Sequence, residues 1–420
     1  MQTIEGCDFF PLVFDKDGTL ESQEEFDALV RRATDRPATD AIFIAHGFRN
    51  DVGEATSLYT TFLKNFRVHL NTPQFSEVAQ RRFVVGAVYW PSKSFRESFG
   101  EDGAEGTRGL QNPALAMADA KQRLEELKTD VTPAQRRSLD KAAALLPKLE
   151  GNPDAQDRFV ALVLSVVSKS KLDTTEGLPQ IRKRSGSELF ARLDGPPADG
   201  TRGLFGSIGG KIGQFLNLTT WFVMKDRSGT VGAKGAASAV RALHTAAPAV
   251  RIHLVGHSLG GRLMAACAKA LARRPKLQPD SLTLLEAAFS HYGFSSDNGH
   301  GTAGFFRDVI DKAVVKGPFV STFSAQDTVV GKAYAISSRL AGDNSREIGD
   351  ASDEFGGIGR NGALKTTEVS QSKLHAPGAV YDYKIGVINN LDGSGGLIKN
   401  HGDVTNPAVT YAFASAVART

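Results

Sequence analysis

Residues 251–261 read Arg251-Ile252-His253-Leu254-Val255-Gly256-His257-Ser258-Leu259-Gly260-Gly261. The apolar run 252–255 predicts a buried strand and the pattern over 262–273 predicts a helix, so the residues between must turn the chain sharply. Such a turn drives its central residue into a strained conformation, and only small residues two positions before and after it let strand and helix approach. Gly256 and Gly260 stand at those positions, and Ser258 projects from the strand end. A G-x-S-x-G spelling arises by chance about 0.3 times in a glycine-rich chain of this length, so the flanking strand and helix carry the reading.

Around this stretch the chain alternates strands and helices. Residues 9–14 form a short apolar strand, followed by the turn Asp15-Lys16-Asp17-Gly18, whose Asp17-Gly18 pair suits a tight hairpin. Residues 41–45 (AIFIA) form a strand that ends in His46-Gly47-Phe48, a helix follows over 52–66, and residues 82–90 form the next strand. The first run is apolar throughout and the second is apolar after Arg82, as adjacent buried parallel strands are. Beyond the serine, strands are expected over 281–289, 318–324 and 379–389. Helices are expected over 234–247, 328–340 (closed by Gly342) and 407–417, the last capped by Asn406. The fold class is therefore α/β, a doubly wound, mainly parallel sheet.

Residues 93–233 interrupt this alternation with mostly helical signals. A polar loop over 101–109 precedes helices at 113–128, from Thr132 (a capping box with Pro133 at the first position) and at 154–168. Two domains follow: a core of 1–92 and 234–420, and a helical insertion of 93–233. Within it, Leu204, Ile208, Ile212, Phe215 and Phe222 recur at helical spacing among glycines. A lid that makes transient contact with an acyl chain or a membrane surface has this pattern, and so does a buried packing helix, which is the reading preferred here.

Composition bounds the function. The 420 residues are 41% hydrophobic and 23% charged, and 50 basic against 46 acidic residues give a net charge of +4 without a basic stripe, which excludes a nucleic-acid partner. The longest apolar runs, such as 159–167, are about half of the roughly 20 residues a membrane span needs, and MQTIEGCDFF carries no signal-peptide pattern, so a cytoplasmic protein is expected. Cys7 and Cys267 read as buried thiols. Gly357 to Gly362 spells G-x-G-x-x-G but follows no apolar strand, and Gly209-Gly210-Lys211 lacks the residues a phosphate loop requires.

A serine hydroxyl becomes a nucleophile when an imidazole takes its proton and a carboxylate orients that imidazole. Of the nine histidines, His401 is selected because it lies in the loop after the last strand. His46 belongs to the loop after residues 41–45, His253 to the strand and His257 to the turn itself; His291, His300 and His375 are weaker loop alternatives. Asp327 is the selected acid because it lies just beyond the 318–324 strand, where groups converge at strand ends; capping the next helix is its other use. Glu286 is the runner-up, and Asp403 stands too close to His401 in sequence to be preferred.

With AIFIAHGF, LVGHSLGG, Asp327 and His401 in this chain order, the sequence resembles the α/β-hydrolases of the serine esterase and lipase group. The resemblance spans roughly 1–92 and 234–420. It implies that Ser258 is the nucleophile, His401 the base and Asp327 the acid, that the amides of Phe48 and Leu259 form the oxyanion hole, and that small-molecule or lipid esters are cleaved without metal or cofactor. Two alternatives stand beside it. Residues 14–20 (FDKDGTL) resemble the first motif of haloacid-dehalogenase-type phosphatases, which implies magnesium-dependent chemistry on Asp15 and Asp17, with Asp350 and Asp353 imitating the metal-binding pair. The other alternative is a non-catalytic interaction protein on a hydrolase fold.

Overall fold

In the computed structural model, the strand that leads to Ser258 is the central member of a nine-stranded sheet. The structure describes residues 2–36, 38–48, 50–92, 113–129, 131–168, 174–193, 208–273, 275–299, 301–342 and 349–420. The 101–109 loop, Leu204 and His300 lie outside them.

The strands are β1 (Gln2–Ile4), β2 (Cys7–Val13), β3 (Asp40–Ala45), β4 (Phe83–Tyr89), β5 (Arg251–His257), β6 (Ser281–Leu285), β7 (Phe319–Phe323), β8 (Val369–Lys373) and β9 (Ile388–Asp392), in the order β1-β2-β4-β3-β5-β6-β7-β9-β8. Among the described residues, β1 and β2 pair antiparallel and every other neighbouring pair of strands is parallel. The protein is thus α/β. Every residue of β3 and β4 is buried, which accounts for their unbroken apolar runs.

The register brings the strand ends level. Ala45 lies opposite Gly256, His257 opposite Leu285, Leu285 opposite Thr322, and Thr322 opposite Leu391. The loops after β3, β5, β6, β7 and β9 therefore start from one edge. Between β3 and β5 the winding direction changes, because β4 lies on one side of β3 while the rest of the chain continues on the other. In parallel sheets such a switch point opens a crevice beyond the carboxyl ends of the strands. Ser258 follows one of those two strands and Gly47 the other.

Two strand expectations need correction. The 281–289 strand stops at Leu285, because Glu286 takes a φ of 42° and leaves the ladder. The 379–389 strand is mostly an irregular segment, and the ladder begins at Ile388. The period-two signal there comes from Tyr381 and Tyr383, whose rings stack at 5.1 Å, while the Tyr383 hydroxyl donates to the Ala412 carbonyl at 2.8 Å. Edge strand β8 was missed because Val-Ser-Gln-Ser-Lys has no apolar face; its middle and end are exposed, and Lys373 closes it.

Helices Val52–Leu70 and Pro407–Ala418 pack through Phe62 and Phe66, each 5.2 Å from the Phe413 ring. Asp51 caps the first with a capping box and Asn406 caps the second. Cys7 and Cys267 are buried free thiols, and burial pushes Cys267 up to about 12.

The chain divides into two compact units, Met1–Lys93 with Arg227–Thr328 and Gly357–Thr420, and Ser94–Asp226 with Val329–Gly356. The division differs from the 93–233 insertion read from sequence, since Val329–Gly356 belongs to the second unit. In that unit Thr132 and Gln135 form the expected capping box. Phe215 packs against Phe159 and Phe190 at 6.5 and 6.1 Å, and Ile212, Leu216 and Trp221 are buried, as a packing helix requires. Lys225, Glu176 and Tyr334 form a buried triangle in which Lys225 donates to both partners and the Tyr334 hydroxyl donates to Glu176 at 2.6 Å. Among the described residues no helix is long and apolar enough to cross a membrane.

In the first unit a π-helical turn at Val231–Ala236 leads directly into helix Ala237–Ala246. That turn packs on the helix after Ser258. A Cβ on Gly232 would stand 2.0 Å from the Leu263 carbonyl oxygen, and one on Gly235 would stand 2.6 Å from the Phe14 ring. Gly232→Ala is expected to lower stability by more than about 3 kcal/mol in urea unfolding, because neither backbone can retreat. Gly395→Ala, with nothing within 4 Å of the new methyl, is expected to stay within about 0.5 kcal/mol.

Candidate active site

The turn after β5 is as tight as its glycines imply. Ser258 has φ 57° and ψ −124°, a conformation that costs on the order of 1–3 kcal/mol and persists only where its surroundings hold it. They do so through the backbone: Ser258 N donates to Leu285 O at 3.0 Å, and its carbonyl accepts from the amides of Gly261 and Ala288, each at 3.0 Å. A Cβ on Gly256 would stand 2.2 Å from Gly260 O, and one on Gly260 would stand 2.3 Å from Ala45 O. No other residue type fits at either place.

The three residues selected from sequence meet here. His401 Nδ1 lies 2.8 Å from Asp327 Oδ2, and His401 Nε2 lies 2.8 Å from Ser258 Oγ. A carboxylate only accepts, so the proton sits on Nδ1, and Nε2 is the acceptor for the Ser258 hydroxyl. Asp327 is fully buried, Ser258 is 3% exposed, and the His401 side chain is 13% exposed. Both ends of this chain are therefore dry while the imidazole keeps a contact with solvent. Asp327 precedes helix Thr328–Ala341, but its carboxylate is engaged by His401, and its backbone is pinned by Ser324 O at 2.9 Å and by Arg360.

The His401 loop is ordered by its own polar atoms. Asn400 Oδ1 accepts from Gly402 N at 3.0 Å, Asp403 Oδ2 accepts from Lys399 N at 3.1 Å, and Asn406 caps the following helix. Asp403, set aside on sequence grounds, is thus a loop brace. No family model, curated protein or solved structure matches the chain.

His257 has a role that sequence did not suggest. Its Nε2 donates to the backbone carbonyl of His401 at 2.8 Å, and the two rings lie 4.8 Å apart. The residue before the serine therefore holds the loop that carries the imidazole. Its Nδ1 is buried without a partner, and burial, followed by the proximity of His401, lowers its pKa to about 3. The pairing spans 144 residues, so no local signal could have revealed it.

On the other side stands the loop after β3. A Cβ on Gly47 would meet Ser258 Cβ at 2.9 Å, so Gly47 lets this loop lie directly against the serine, and Phe48 follows it. His46 is held by its neighbours: its amide donates to Tyr59 Oη at 2.8 Å, its Nδ1 donates to Gly47 O at 2.9 Å, and its ring stacks on Trp90 at 5.7 Å. Burial lowers its pKa to about 4, so it is neutral structural scaffolding. Leu259 opens helix Leu259–Leu271, where a first-turn amide has no acceptor within its own helix.

The remaining candidates lie apart from this chemistry or in local structure. His253 bonds to Asp40 and Ser281 at 3.0 and 2.8 Å within the sheet, His291 faces Asn361 at 3.0 Å, and the His375 amide donates to Tyr381 Oη. Asp15 Oδ1 accepts the amides of Asp17 and Thr19 at 2.9 and 2.8 Å, and Phe14 bridges Leu20, so this stretch is a hairpin turn. Asp350 and Asp353 also serve local turns. Glu286 does approach the site: it, Asp327 and His401 each bring one ligand-type atom within 4.8 Å of the others. Both ring nitrogens of His401 are already hydrogen-bonded.

The two neutral histidines fix a pH dependence. Their folded pKa values lie below the unfolded value near 6.5, so the unfolded chain binds more protons in between. Their contribution is present above about pH 6.5 and is lost as pH falls toward about 4 for His46 and about 3 for His257. His257→Gln keeps a donor for the His401 carbonyl but cannot take up a proton. Its unfolding free energy should depend less steeply on pH between about 6 and about 4, by up to about 1.4 kcal/mol per pH unit. An unchanged slope in urea titrations would rule out a neutral buried His257.

Proposed function

We propose that the protein is a serine hydrolase of the α/β-hydrolase type that cleaves carboxylic esters through an acyl-enzyme. The observation that carries this reading is the unbroken chain Ser258 Oγ, His401 Nε2, His401 Nδ1 and Asp327 Oδ2, with 2.8 Å at both links. The sheet supports it too: nucleophile after β5, acid after β7 and histidine after β9, all at one edge of a mainly parallel sheet.

Ser258 Oγ attacks the ester carbonyl carbon as its proton passes to His401 Nε2. Asp327, already bonded to Nδ1, stabilises the imidazolium. The tetrahedral oxyanion is received by the amide of Leu259, at the positive end of its helix, together with that of Phe48 beyond Gly47. The imidazolium gives its proton to the leaving alkoxide, which departs as an alcohol. A water molecule, deprotonated by His401, then attacks the acyl-serine, releases the carboxylic acid and restores Ser258. The strained φ of Ser258 serves this step, because it aims Oγ away from the strand and toward His401. The substrate class is a small-molecule or lipid ester.

Incubation with a fluorophosphonate is expected to add one adduct per chain by intact mass, and none to Ser258→Ala. A wild-type protein that takes no label would remove the proposal. Asp327→Asn should retain the fold and lower kcat for an activated ester by about two to four orders of magnitude, since the imidazole loses its orienting charge. Asp15→Asn should leave turnover unchanged; loss of a phosphatase activity in that variant would favour the aspartate-based alternative instead.

A further inference from the structure

Glu286, the first residue beyond β6, combines three features that its position does not require. Its φ is 42°, its side chain is fully buried, and neither carboxyl oxygen has a hydrogen-bond partner. An unpaired buried carboxylate is among the costliest groups a fold can hold. The backbone is nonetheless gripped from several sides. Glu286 N donates to Thr322 O at 3.2 Å, and Gly359 presses so near that a Cβ there would stand 2.5 Å from the Glu286 carbonyl carbon. The adjoining Leu285 O and the nearby Ala288 N bond the two backbone polar atoms of Ser258. The contacts that aim the serine thus also aim Glu286, whose carboxyl lies within 4.8 Å of ligand atoms of Asp327 and His401.

Two carboxyls this close in a dry site do not both ionise. Asp327 receives the Nδ1 proton of His401 in a hydrogen bond and so holds the charge, whereas Glu286 receives no hydrogen bond. We propose that the acid of the triad is a carboxyl pair, Asp327 and Glu286, that carries one negative charge between them, with Glu286 as the protonated positioning residue. Burial, and then the charges of Asp327 and Asp403, act on Glu286 in that direction. Among the described residues, further titratable or charged groups near the pair are His401 in the loop after β9, His257, which bonds the His401 carbonyl, and Arg360, which bonds the Ala325 and Asp327 carbonyls. A single shared charge balances the imidazolium formed on attack. A second would hold that cation too firmly for its proton to pass to the leaving group. When Asp327 is neutralised, the charge moves to Glu286.

The catalytic meaning of the pair rests on the hydrolase reading; the shared charge does not. Infrared difference spectra of the full chain titrated through neutral pH test the charge directly. Near pH 7 the wild type should show a protonated carboxyl band that is absent from Glu286→Gln, and in Asp327→Asn its titration midpoint should fall by about one pH unit or more. A wild type without the band, or an unmoved midpoint in Asp327→Asn, overturns the proposal. The comparison of wild type with Asp327→Asn decides it even where Glu286→Gln does not fold, and none of these readings depends on ester turnover. For the positioning role, the residual kcat of Asp327→Asn should rise with pH as Glu286 ionises and exceed that of Asp327→Asn/Glu286→Gln by about tenfold or more. Equal kcat and equal pH profiles in these two variants overturn that role.

Discussion

The approach of Gly260 to the carbonyls of Ala45 and His46 is the constraint on which the rest of the first unit depends. The ideal Cβ position of Gly260 lies 2.3 and 2.4 Å from those oxygens, so the start of the helix after β5 presses directly on the end of β3. This closeness puts the two loops of the switch point against each other and places Gly47 beside Ser258. Each later contact inherits the position. Leu285 and Ala288 hold the backbone of Ser258, and β6 and β7 follow in register, which sets Asp327 at the level of the serine. A larger residue at the turn would move the whole edge.

Much of this was legible in the sequence because it is local. The G-x-S-x-G turn, the apolar runs of β3 and β4, the capping residues Thr132 and Asn406 and the order of Ser258, Asp327 and His401 each follow from neighbours in the chain or from alternation of elements. Other features were hidden for physical reasons. β8 is polar because it lies at an exposed edge, and Tyr381 and Tyr383 mimic a strand because two stacked rings in an irregular segment fall two residues apart. The grouping of Val329–Gly356 with the second unit depends on contacts made in space. So does the bond from His257 to His401, and so does the nearness of Glu286 to Asp327.

The electrostatics of the site follow from dryness. Imidazoles at His46 and His257 and a carboxyl at Glu286 are kept by burial in their uncharged forms, so formal charge is confined to where a hydrogen bond awaits it. The second unit solves the same problem differently. Lys225 and Glu176 are buried as a pair, with Tyr334 hydrogen-bonded to both, so each polar group meets a partner.

The hydrogen bond between Ser258 and His401 joins residues 143 positions apart, and the loop of His401 follows β9 in the chain. Contacts of such separation cost loop entropy before they repay it, so they form late in folding. A chain growing from its N-terminus holds Ser258, its strained turn and Asp327 before it holds His401. Ser258 therefore gains its hydrogen bond to His401 only when β9 and the helix Pro407–Ala418 have brought that loop into place.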